Sequence, residues 1–559
     1  MSLNELRISW SLPAVAALLA VISVLVGYTR IVLDKVLLTD VHIHVRWGRQ
    51  IYEALSHGVV YPRWMPEAFG GLGEPAFLYY SPVFYYLSSL LNVALDDIWV
   101  SMTVTGIVTL WLGGLVVYVY LRRKLSQWLC VLVACCSIAS PFLFFILNSI
   151  NYMPWHASFV FALLVAIHTV AEDGRTGLVS LPLSISLAAL VMTHILSAFV
   201  LLVCLPVVFL PGLIASGTRK AELRRIRLWL LSVSLGLAAC SIYLVPATTT
   251  WDLLSSDTWN IGRGIEPHSS YLFPVASSIH WPVLQLYMPA AIAVSLLVPV
   301  FYSWQRRQIV TTSGCPVLQW WLLAVAGLLL STELIYPMLR HLPLLNKIDE
   351  PYRYFYVTAL AAPIAAGLAF CDSWQPSRSS WRTSMCRAGA MALMVMAPAF
   401  TAILGVDLAR NGASHLDAKT DSRFGLYQPA AKGKTDEWHA YLDTGAFEGE
   451  CERARMTCTA SHESGEHWKW RISVSESALV RLPVFAFPFW EARLDGRPIQ
   501  ILLDEKSGLI AANLPPGEHE LEVYRIWLPQ ERLGLWISIT AIVFLLAIFA
   551  RRVSGHARR

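Results

Sequence analysis

The chain has 559 residues, of which 56% are hydrophobic and only 14% are charged, and its mean hydropathy is +0.52. Soluble proteins carry about 45–50% apolar and about 25% charged residues, so this composition excludes a soluble single domain, a disordered chain and a disulfide scaffold. The net charge is +5, but residues 406–532 hold 20 of the 38 acidic and 15 of the 43 basic residues. The sequence therefore predicts a basic, charge-poor membrane body with an acidic, water-soluble insert near the C-terminus.

The first apolar run, Trp10 to Thr29, has no charged residue and is about as long as a hydrocarbon core is thick. Because no short apolar core with a small-residue cleavage site is present, we expect a retained helix and not a signal peptide. Twelve further apolar segments follow, near 75–95, 98–121, 125–147, 156–171, 178–193, 195–213, 228–249, 283–303, 317–334, 354–370, 387–405 and 533–550. This pattern predicts a polytopic α-helical membrane protein.

Clusters of Lys and Arg predict the orientation, since basic short loops face the cytoplasm. The clusters are Arg122–Lys124, Arg175, Arg219–Arg227, Arg306–Arg307, Arg378–Arg387 and Arg551–Arg559. This rule places four long segments on the extracytoplasmic side of the cell membrane: 34–75, 250–282, 334–353 and 406–532. Two full crossings by 75–95 and 98–121 would invert everything from Arg122 onward. We therefore expect the Pro- and Tyr-rich 75–95 to be re-entrant or interfacial, which gives twelve spans and two cytoplasmic termini.

The 406–532 insert is predicted to be extracytoplasmic and β-rich from about 468. Short alternating runs are separated there by turn signals, Asp495-Gly496 for a hairpin and Pro515-Pro516-Gly517 for another. These features indicate a small antiparallel β domain, interpreted as a sandwich, that leads into the last helix and a cytoplasmic tail within 533–559. Cys451 and Cys458 are the only cysteines outside the predicted spans and cytoplasmic stretches. In an oxidising compartment they predict a local disulfide; two free thiols are the alternative.

The first outer loop carries the pattern of an amphipathic helix. Val41, Val45, Gly48, Tyr52 and Leu55 recur at helical spacing, and Gly58 ends the run. We expect this helix to lie at the membrane surface. Asp40, directly before it, is typical of an N-cap, with His44 four residues later on the same side. The site also suits two substrates: His44, Arg46 and Arg63 can bind an anionic lipid headgroup, and the carboxylate beside them can accept the proton of an incoming hydroxyl.

Four motifs, in order along the chain, carry a resemblance to a known family. They are the first loop "DVHIHVRWGRQIYEALSHGVVYPRW" with "GGLGEP" and "FLYYSPVFYYL", the junction "VMTHILSAFVLL", the helix entry "KIDEPYRYFYVTALAAPIAAG", and "FPFWEARLDGRPIQ…NLPPGEHELEVYR". Together they resemble the GT-C superfamily of membrane glycosyltransferases, most closely its YfhO-type branch. Tyr352 stands where Trp is more usual in that branch's Pro-aromatic-Arg entry. The resemblance implies a GT-C-like domain over 1–405 and an outer β domain.

The resemblance also implies a donor and a catalytic residue. The donor is a polyprenyl-phosphate-linked sugar used on the outer face, and the acceptor is a glycan, lipid or protein of the cell envelope. Asp40 corresponds by position to the catalytic carboxylate. Inverting transfer needs a base for the acceptor proton and positive charge for the departing lipid phosphate.

Other charged residues have a functional and a structural interpretation. Arg353 and Arg63 suit a phosphate contact, or act as interfacial anchors. His44 orients Asp40, binds the donor or holds a metal. Asp349 and Glu350 bind acceptor hydroxyls, or pair with neighbouring cations.

His194 is predicted to be a buried polar link between two apolar segments. The sequence identifies no cofactor and leaves a divalent cation open. "GGLGEP" is not a nucleotide loop, because no strand precedes it and no Gly-Lys-Ser/Thr follows. There is no basic patch for nucleic acid.

Two alternatives from other classes remain. A transporter or flippase would show related halves, broken helices and charges within its spans. A non-enzymatic envelope-assembly protein would use the β domain as a binding module.

Overall fold

A computed structural model describes most of the chain as helices that precede a C-terminal β domain and one last helix. The described residues are 10–32, 35–36, 41–148, 152–171, 179–215, 217–255, 316–342, 345, 348, 351–372, 396, 398–399, 401–403, 405–406, 410, 413–414, 426–429, 441–443, 447, 451–452 and 456–557. The predicted segment near 283–303, and most of that near 387–405, lie outside them.

The helices follow the predicted apolar segments closely. In chain order they are α1 Leu12–Val32, α2 Val41–Ser56, α3 Ala76–Tyr79, α4 Val83–Leu95, α5 Ile98–Leu121, α6 Gln127–Ile138, α7 Pro141–Asn148, α8 Met153–Ala157, α9 Phe159–Ala171, α10 Leu181–Thr193, α11 Ile195–Cys204, α12 Leu210–Ile214, α13 Arg219–Ala239, α14 Ser241–Thr249, α15 Pro316–Leu330, α16 Tyr336–Leu339, α17 Phe355–Asp372 and α18 Pro529–Ala557. Short 3₁₀ helices are Ala68–Gly71, Leu205–Phe209, Trp251–Leu253, Glu333–Ile335 and Pro351–Tyr354.

Within the described ranges, five helical stretches are long and apolar enough to cross a membrane: Ile98–Leu121, Gln127–Asn148, Met153–Ala171, Ile195–Ile214 and Pro529–Ser554. Shorter apolar helices are Leu12–Gly27, Val83–Leu95, Leu181–Thr193 and Pro316–Leu330. The predicted class, a polytopic α-helical membrane protein with a β domain before the last helix, is confirmed.

The predicted span 228–249 is broken between α13 and α14, which bend by 82°. At the break, Ser538 Oγ accepts a hydrogen bond from the Ile242 N–H at 2.8 Å. The Ile242 carbonyl accepts one from Arg63 Nη2 at 3.0 Å. Because backbone groups at a helix break need new partners in an apolar setting, these contacts explain why the bend is stable.

Segment 75–95 contains two helices, the short α3 and the longer α4. Glu74, directly before it, contacts the insert through the Leu426 N–H. α4 has 13 residues, or about 20 Å at about 1.5 Å per residue, which is short of a core about 30 Å thick. It runs back along α5, where Ser101 Oγ donates to Asn92 Oδ1 at 3.1 Å. α4 and α5 both contact α2. That 75–95 is re-entrant stays a prediction.

α2 forms where predicted, but its environment differs. Gly58, just after it, has φ of +83°, a conformation that ends helices at glycine. The first half of the helix is buried within the protein, including Arg46, which is 3% exposed. The expectation of a helix lying on the membrane surface is therefore wrong for this half, because α4, α5 and the insert's Tyr427 cover it.

The insert contains two antiparallel sheets of the predicted β domain. Its strands are β3 Thr457–Ser464, β4 His467–Val474, β5 Ala478–Phe485, β6 Trp490–Leu494, β7 Arg497–Ile499, β8 Leu502–Asp504, β9 Leu509–Leu514 and β10 Gly517–Arg525; β1 Lys35–Val36 pairs separately with β2 Ala413–Ser414. The sheet orders are β3-β4-β10-β6-β7 and β5-β9-β8. Alternate residues on β4 and β5, such as Trp470, Ile472, Val480 and Leu482, are buried in one apolar cluster.

Two details of the β domain correct the prediction. Strands begin at Thr457 and not near 468, because β3 is an edge strand of mostly small polar residues without an apolar alternation. Asp495-Gly496 is the predicted hairpin turn, with φ of +51° and +78°. Pro515–Gly517 is not a hairpin, because it joins β9 of one sheet to β10 of the other. Cys451 and Cys458 form a disulfide.

Three segments predicted to share one side contact each other. β1 of the first loop pairs with β2 of the insert, and the Phe485 N–H donates to the Leu72 carbonyl at 3.0 Å. Leu254 forms a bridge with Pro429. At the other end of the helices, the basic tail of α18 reaches the start of α10, where Arg552 donates to the Val179 carbonyl at 2.9 Å.

Candidate functional site

Three of the predicted site residues lie outside the described residues: Asp40, Asp349 and Glu350. Their chain neighbours are described. Val41 is the first residue of α2, and Pro351 begins the 3₁₀ turn that leads into α17.

His44 is fixed in the first turn of α2. It is 3% exposed, and its Nδ1 lies 2.6 Å from the Tyr85 hydroxyl. Its ring also packs against Trp47 at 5.9 Å and Tyr80 at 5.8 Å between centroids. These aromatic contacts hold the imidazole in one orientation, one helical turn from the position of Asp40 in the chain.

Trp155 of α8 brings Arg353 and His194 together. The His194 ring stacks on the indole with centroids 6.0 Å apart and planes at 12°. The Arg353 guanidinium carbon lies 5.9 Å from the ring centroids of Trp155 and of Tyr152. We call Arg353, Trp155 and His194 the cation–aromatic cluster.

Trp155 was not singled out from the sequence, although "NYMPWHA" between two apolar segments carries the signal. Its side chain is 1% exposed. Within the described part of the chain, no atom accepts a hydrogen bond from its indole N–H. A buried donor of this kind is a candidate contact for a bound polar ligand.

A buried hydrogen-bonded chain supports His194, which is the polar link that the sequence predicts. Its Nδ1 lies 2.8 Å from Ser197 Oγ and accepts from the Ser197 N–H. Ser158 Oγ continues the chain to Ser197 at 2.8 Å and to the Tyr356 hydroxyl at 2.9 Å. The chain ties the α10–α11 junction to α17, on which Tyr356 lies one turn after Arg353.

Arg63 is located elsewhere, in a buried ion-pair network. Its Nε lies 2.7 Å from Glu531 Oε1, with side chains 1% and 0% exposed. Arg525 Nη2 contacts the same oxygen at 2.7 Å. The Arg63 guanidinium also lies 4.1 Å from the Tyr61 ring centroid. Because its side chain is buried among these partners, Arg63 is not the interfacial anchor expected from the sequence, and its ion pair with Glu531 disfavours a phosphate contact.

Glu74, in "GGLGEP", is a residue whose role the sequence analysis missed. Its side chain is fully buried and accepts hydrogen bonds from Trp47 Nε1 at 2.6 Å, from the Leu426 N–H at 2.6 Å and from the Tyr427 N–H at 3.0 Å. Burial raises the pKa of the Glu74 carboxyl, and these hydrogen bonds oppose the rise. Glu74 thus joins α2 to the insert.

The glycine at position 73 of this motif is required for steric reasons. Gly73 has φ of +81°, and a Cβ at this position would overlap the Trp64 indole. The turn therefore brings Glu74 under α2 only if residue 73 is glycine.

Among the described residues, no group of three or more His, Cys, Asp or Glu side chains is placed to hold a metal ion.

Residues 77–408 match the family model described as the 6-pyruvoyl-tetrahydropterin synthase related domain, a membrane protein family. No curated protein is significantly similar in sequence.

Three solved structures have a similar chain path. They are arabinofuranosyltransferase AftD from Mycobacteria (TM-score 0.41, 14% identity, 77% of this chain and 28% of that chain), ArnT from Cupriavidus metallidurans bound to undecaprenyl phosphate (0.38, 12%, 72% and 73%), and the Archaeoglobus fulgidus oligosaccharyltransferase tethered with an acceptor peptide (0.38, 13%, 77% and 56%). The chain thus covers just over a quarter of the AftD chain.

Proposed function

We propose that this chain, which belongs to the membrane protein family of the 6-pyruvoyl-tetrahydropterin synthase related domain, is a membrane glycosyltransferase. It moves a monosaccharide from a polyprenyl-phosphate donor to a glycan, lipid or protein acceptor of the cell envelope. The observation that carries the proposal is the cation–aromatic cluster, which combines one guanidinium, one indole and one imidazole from three separate segments. A sugar phosphate needs both a cation for its phosphate and a flat, partly apolar surface with donors for its ring.

Asp40 is the proposed general base. In the proposed step the acceptor hydroxyl oxygen attacks the anomeric carbon, and the bond from that carbon to the phosphate oxygen breaks. The hydroxyl proton passes to the Asp40 carboxylate, and polyprenyl phosphate leaves with the bonding electron pair. The sugar is transferred with inversion. The proposal is supported by the position of Asp40 directly before Val41 and by the fixed ring of His44 one turn later.

Arg353 is the proposed ligand of the leaving phosphate. A guanidinium binds phosphate oxygens through paired hydrogen bonds and stabilises the charge that develops on them. Arg353 also lies at the start of α17, where the N-terminal end of the helix favours an anion. Its contacts with Trp155 and Tyr152 position the guanidinium carbon.

The membrane placement is part of the proposal. The first loop and the β domain lie outside the cell membrane, and both termini lie in the cytoplasm. Arg63 has no part in the transfer step. It holds the first loop against α18, so that α2 keeps its position relative to the helices.

The test uses the purified chain in liposomes with synthetic polyprenyl-phosphate sugars and extracted envelope acceptors. We expect a mass increase of one sugar residue in an acceptor and an equal release of polyprenyl phosphate. Movement of the intact lipid-linked sugar across the liposome membrane, with no transfer to any acceptor, would instead identify a flippase.

A further inference from the structure

A cavity of about 190 Å³ separates the end of α2 from the β domain. Glu53 and His57 form one wall, Trp64 and Pro66 a second, and Glu466 in the turn between β3 and β4 a third. A cavity of about 150 Å³ is sufficient for benzene, so the space accepts one six-membered ring.

The walls of this cavity are held by hydrogen bonds. Glu466 Oε1 accepts from the backbone N–H of Arg63 at 2.8 Å and of Trp64 at 3.2 Å. Gln50, also in the lining, accepts from the Glu67 N–H at 2.9 Å through its side-chain oxygen. Because these contacts join the first loop, α2 and the β domain, the cavity is preformed.

The polar groups in the cavity suit hydroxyl groups. Glu53 offers carboxylate oxygens, with Arg49 Nε 4.0 Å away. His57 Nδ1 lies 2.8 Å from the Glu53 carbonyl oxygen, so its Nε2 is the ring nitrogen for a ligand contact. Among the described residues, the lining includes two carboxylates and no lysine or arginine, which disfavours phosphates and other anions.

We propose that this cavity binds one uncharged sugar ring of the acceptor glycan. Carboxylate and imidazole groups contact its hydroxyls, and Pro66 contacts its apolar face. The assignment of the ring to an acceptor rests on the proposed function. Gln50 is nine residues from the start of α2, or about 14 Å at about 1.5 Å per residue. The cavity is therefore a remote subsite that selects longer acceptor chains.

Sugar binding is tested apart from transfer. The purified chain, in a detergent without sugar groups, is mixed with glucose, galactose, mannose and N-acetylglucosamine, and saturation-transfer difference NMR detects binding. We expect binding of at least one sugar, abolition by Ala54→Trp, which fills the cavity, and at least fivefold weaker binding for Glu53→Ala.

Matched variants leave the cavity open. Val60→Trp places the same indole at an exposed neighbouring position outside the lining, and Glu476→Ala removes an exposed carboxylate of the β domain. Both should bind as the wild type does, and thermal unfolding in the same detergent checks that each variant is folded. No binding by the wild type, or unchanged binding by folded Ala54→Trp, would overturn the inference.

The transfer assay separates this inference from the proposed function. If the inference is correct, Ala54→Trp should lower transfer to long acceptors at least tenfold and leave transfer to a monosaccharide acceptor unchanged. Sugar binding at the cavity without any transfer by the wild type would refute the proposed function and the acceptor assignment, but not the sugar site. Transfer without binding at the cavity would refute the inference alone.

Discussion

Arg63 of the first loop and Glu531 of the last helix form an ion pair with Nε and Oε1 2.7 Å apart and both side chains buried. Glu531 also accepts a hydrogen bond from the Leu528 N–H at 2.8 Å, as a carboxylate in the first turn of a helix commonly does. Arg525, at the end of β10, contacts the same carboxylate. One buried anion therefore joins the first loop, the β domain and α18.

Replacing Glu531, the shared anion, should destabilise the fold more than replacing one of its two arginine partners. Glu531→Gln leaves two buried guanidinium groups without a charge partner, and an uncompensated buried charge costs about 3–5 kcal/mol. Arg63→Met should cost less, because Glu531 keeps Arg525. Thermal unfolding in detergent ranks the stabilities of the variants. Arg532→Met replaces an exposed neighbouring residue and is the near-neutral control. An equal loss for Glu531→Gln and Arg532→Met would contradict the prediction.

Asp40→Asn should lower sugar transfer about 10²–10⁴-fold, because the proton acceptor is lost. Asn caps a helix about as well as Asp, so folding and donor binding should change little. The measurement is transfer from a purified polyprenyl-phosphate sugar, beside thermal stability. Asp97→Asn makes the same change at the cap of α5, where Asp97 accepts from the Val100 N–H, and should remain active. Near-normal transfer by Asp40→Asn would exclude Asp40 as the base and leave Asp349 or Glu350.

Arg353→Ala should weaken donor binding as well as turnover. A hydrogen bond to a charged group contributes about 1.5–3 kcal/mol, which corresponds to roughly a 10- to 150-fold rise in the donor Kd. Fluorescent donor binding and transfer rates check this. Arg340→Ala removes an exposed arginine from the same 334–353 segment and should leave both unchanged. Unaltered donor affinity in Arg353→Ala would limit this residue to its aromatic contacts.

Glu74→Gln should loosen the insert from α2. Three N–H donors converge on the Glu74 carboxylate, and an amide offers one acceptor oxygen in place of two, so a buried donor loses its partner at a cost of about 1–3 kcal/mol. Hydrogen–deuterium exchange at Leu426 and Tyr427 should become faster. Glu67→Gln removes a partly exposed partner of Arg49 and should cost at most about 1 kcal/mol. Equal exchange in both variants would argue against the role of Glu74.

His519 and Asp495 should make the β domain sensitive to pH. His519 Nδ1 contacts the Asp495 carboxylate at 2.8 Å and Nε2 the Pro515 carbonyl at 3.0 Å, and only an imidazolium donates from both nitrogens. The hydrogen bond with Asp495 raises the pKa of His519, and the same bond lowers the pKa of Asp495.

The two shifts define one pH range. The contribution of His519 to folding stability is complete below about pH 6.5 and is lost as pH rises through its raised pKa. The contribution of Asp495 to folding stability is present above about pH 3.9 and is lost as pH falls through its lowered pKa. The pair therefore stabilises the domain most between about pH 4 and 6.5. Mass spectrometry of imidazole C2–H exchange measures the His519 pKa, which Asp495→Asn should lower while keeping the turn, since Asn tolerates positive φ. An unchanged His519 pKa would disprove the coupling.

Local patterns in the sequence were sufficient to predict the helices that the structure describes and most of the β domain. The uncharged run at Trp10–Thr29 predicts α1, and Asp495-Gly496 predicts the hairpin between β6 and β7, because hydrophobic length and turn conformation depend on adjacent residues. The break near Cys240 escaped prediction, since its backbone groups are satisfied by Arg63 and Ser538 from distant segments. The burial of α2 could not be predicted from the sequence for the same reason.

The sequence by itself determined which segments are apolar, which side the basic clusters favour, and where a carboxylate, a histidine and an arginine could act. Only the tertiary structure decided which of these side chains meet. Arg353 joins His194 through Trp155, whereas Arg63 pairs with Glu531, although both arginines have the same two interpretations in the sequence. The physical reason is that the role of a buried charge depends on the partner that compensates it, and that partner comes from a distant part of the chain.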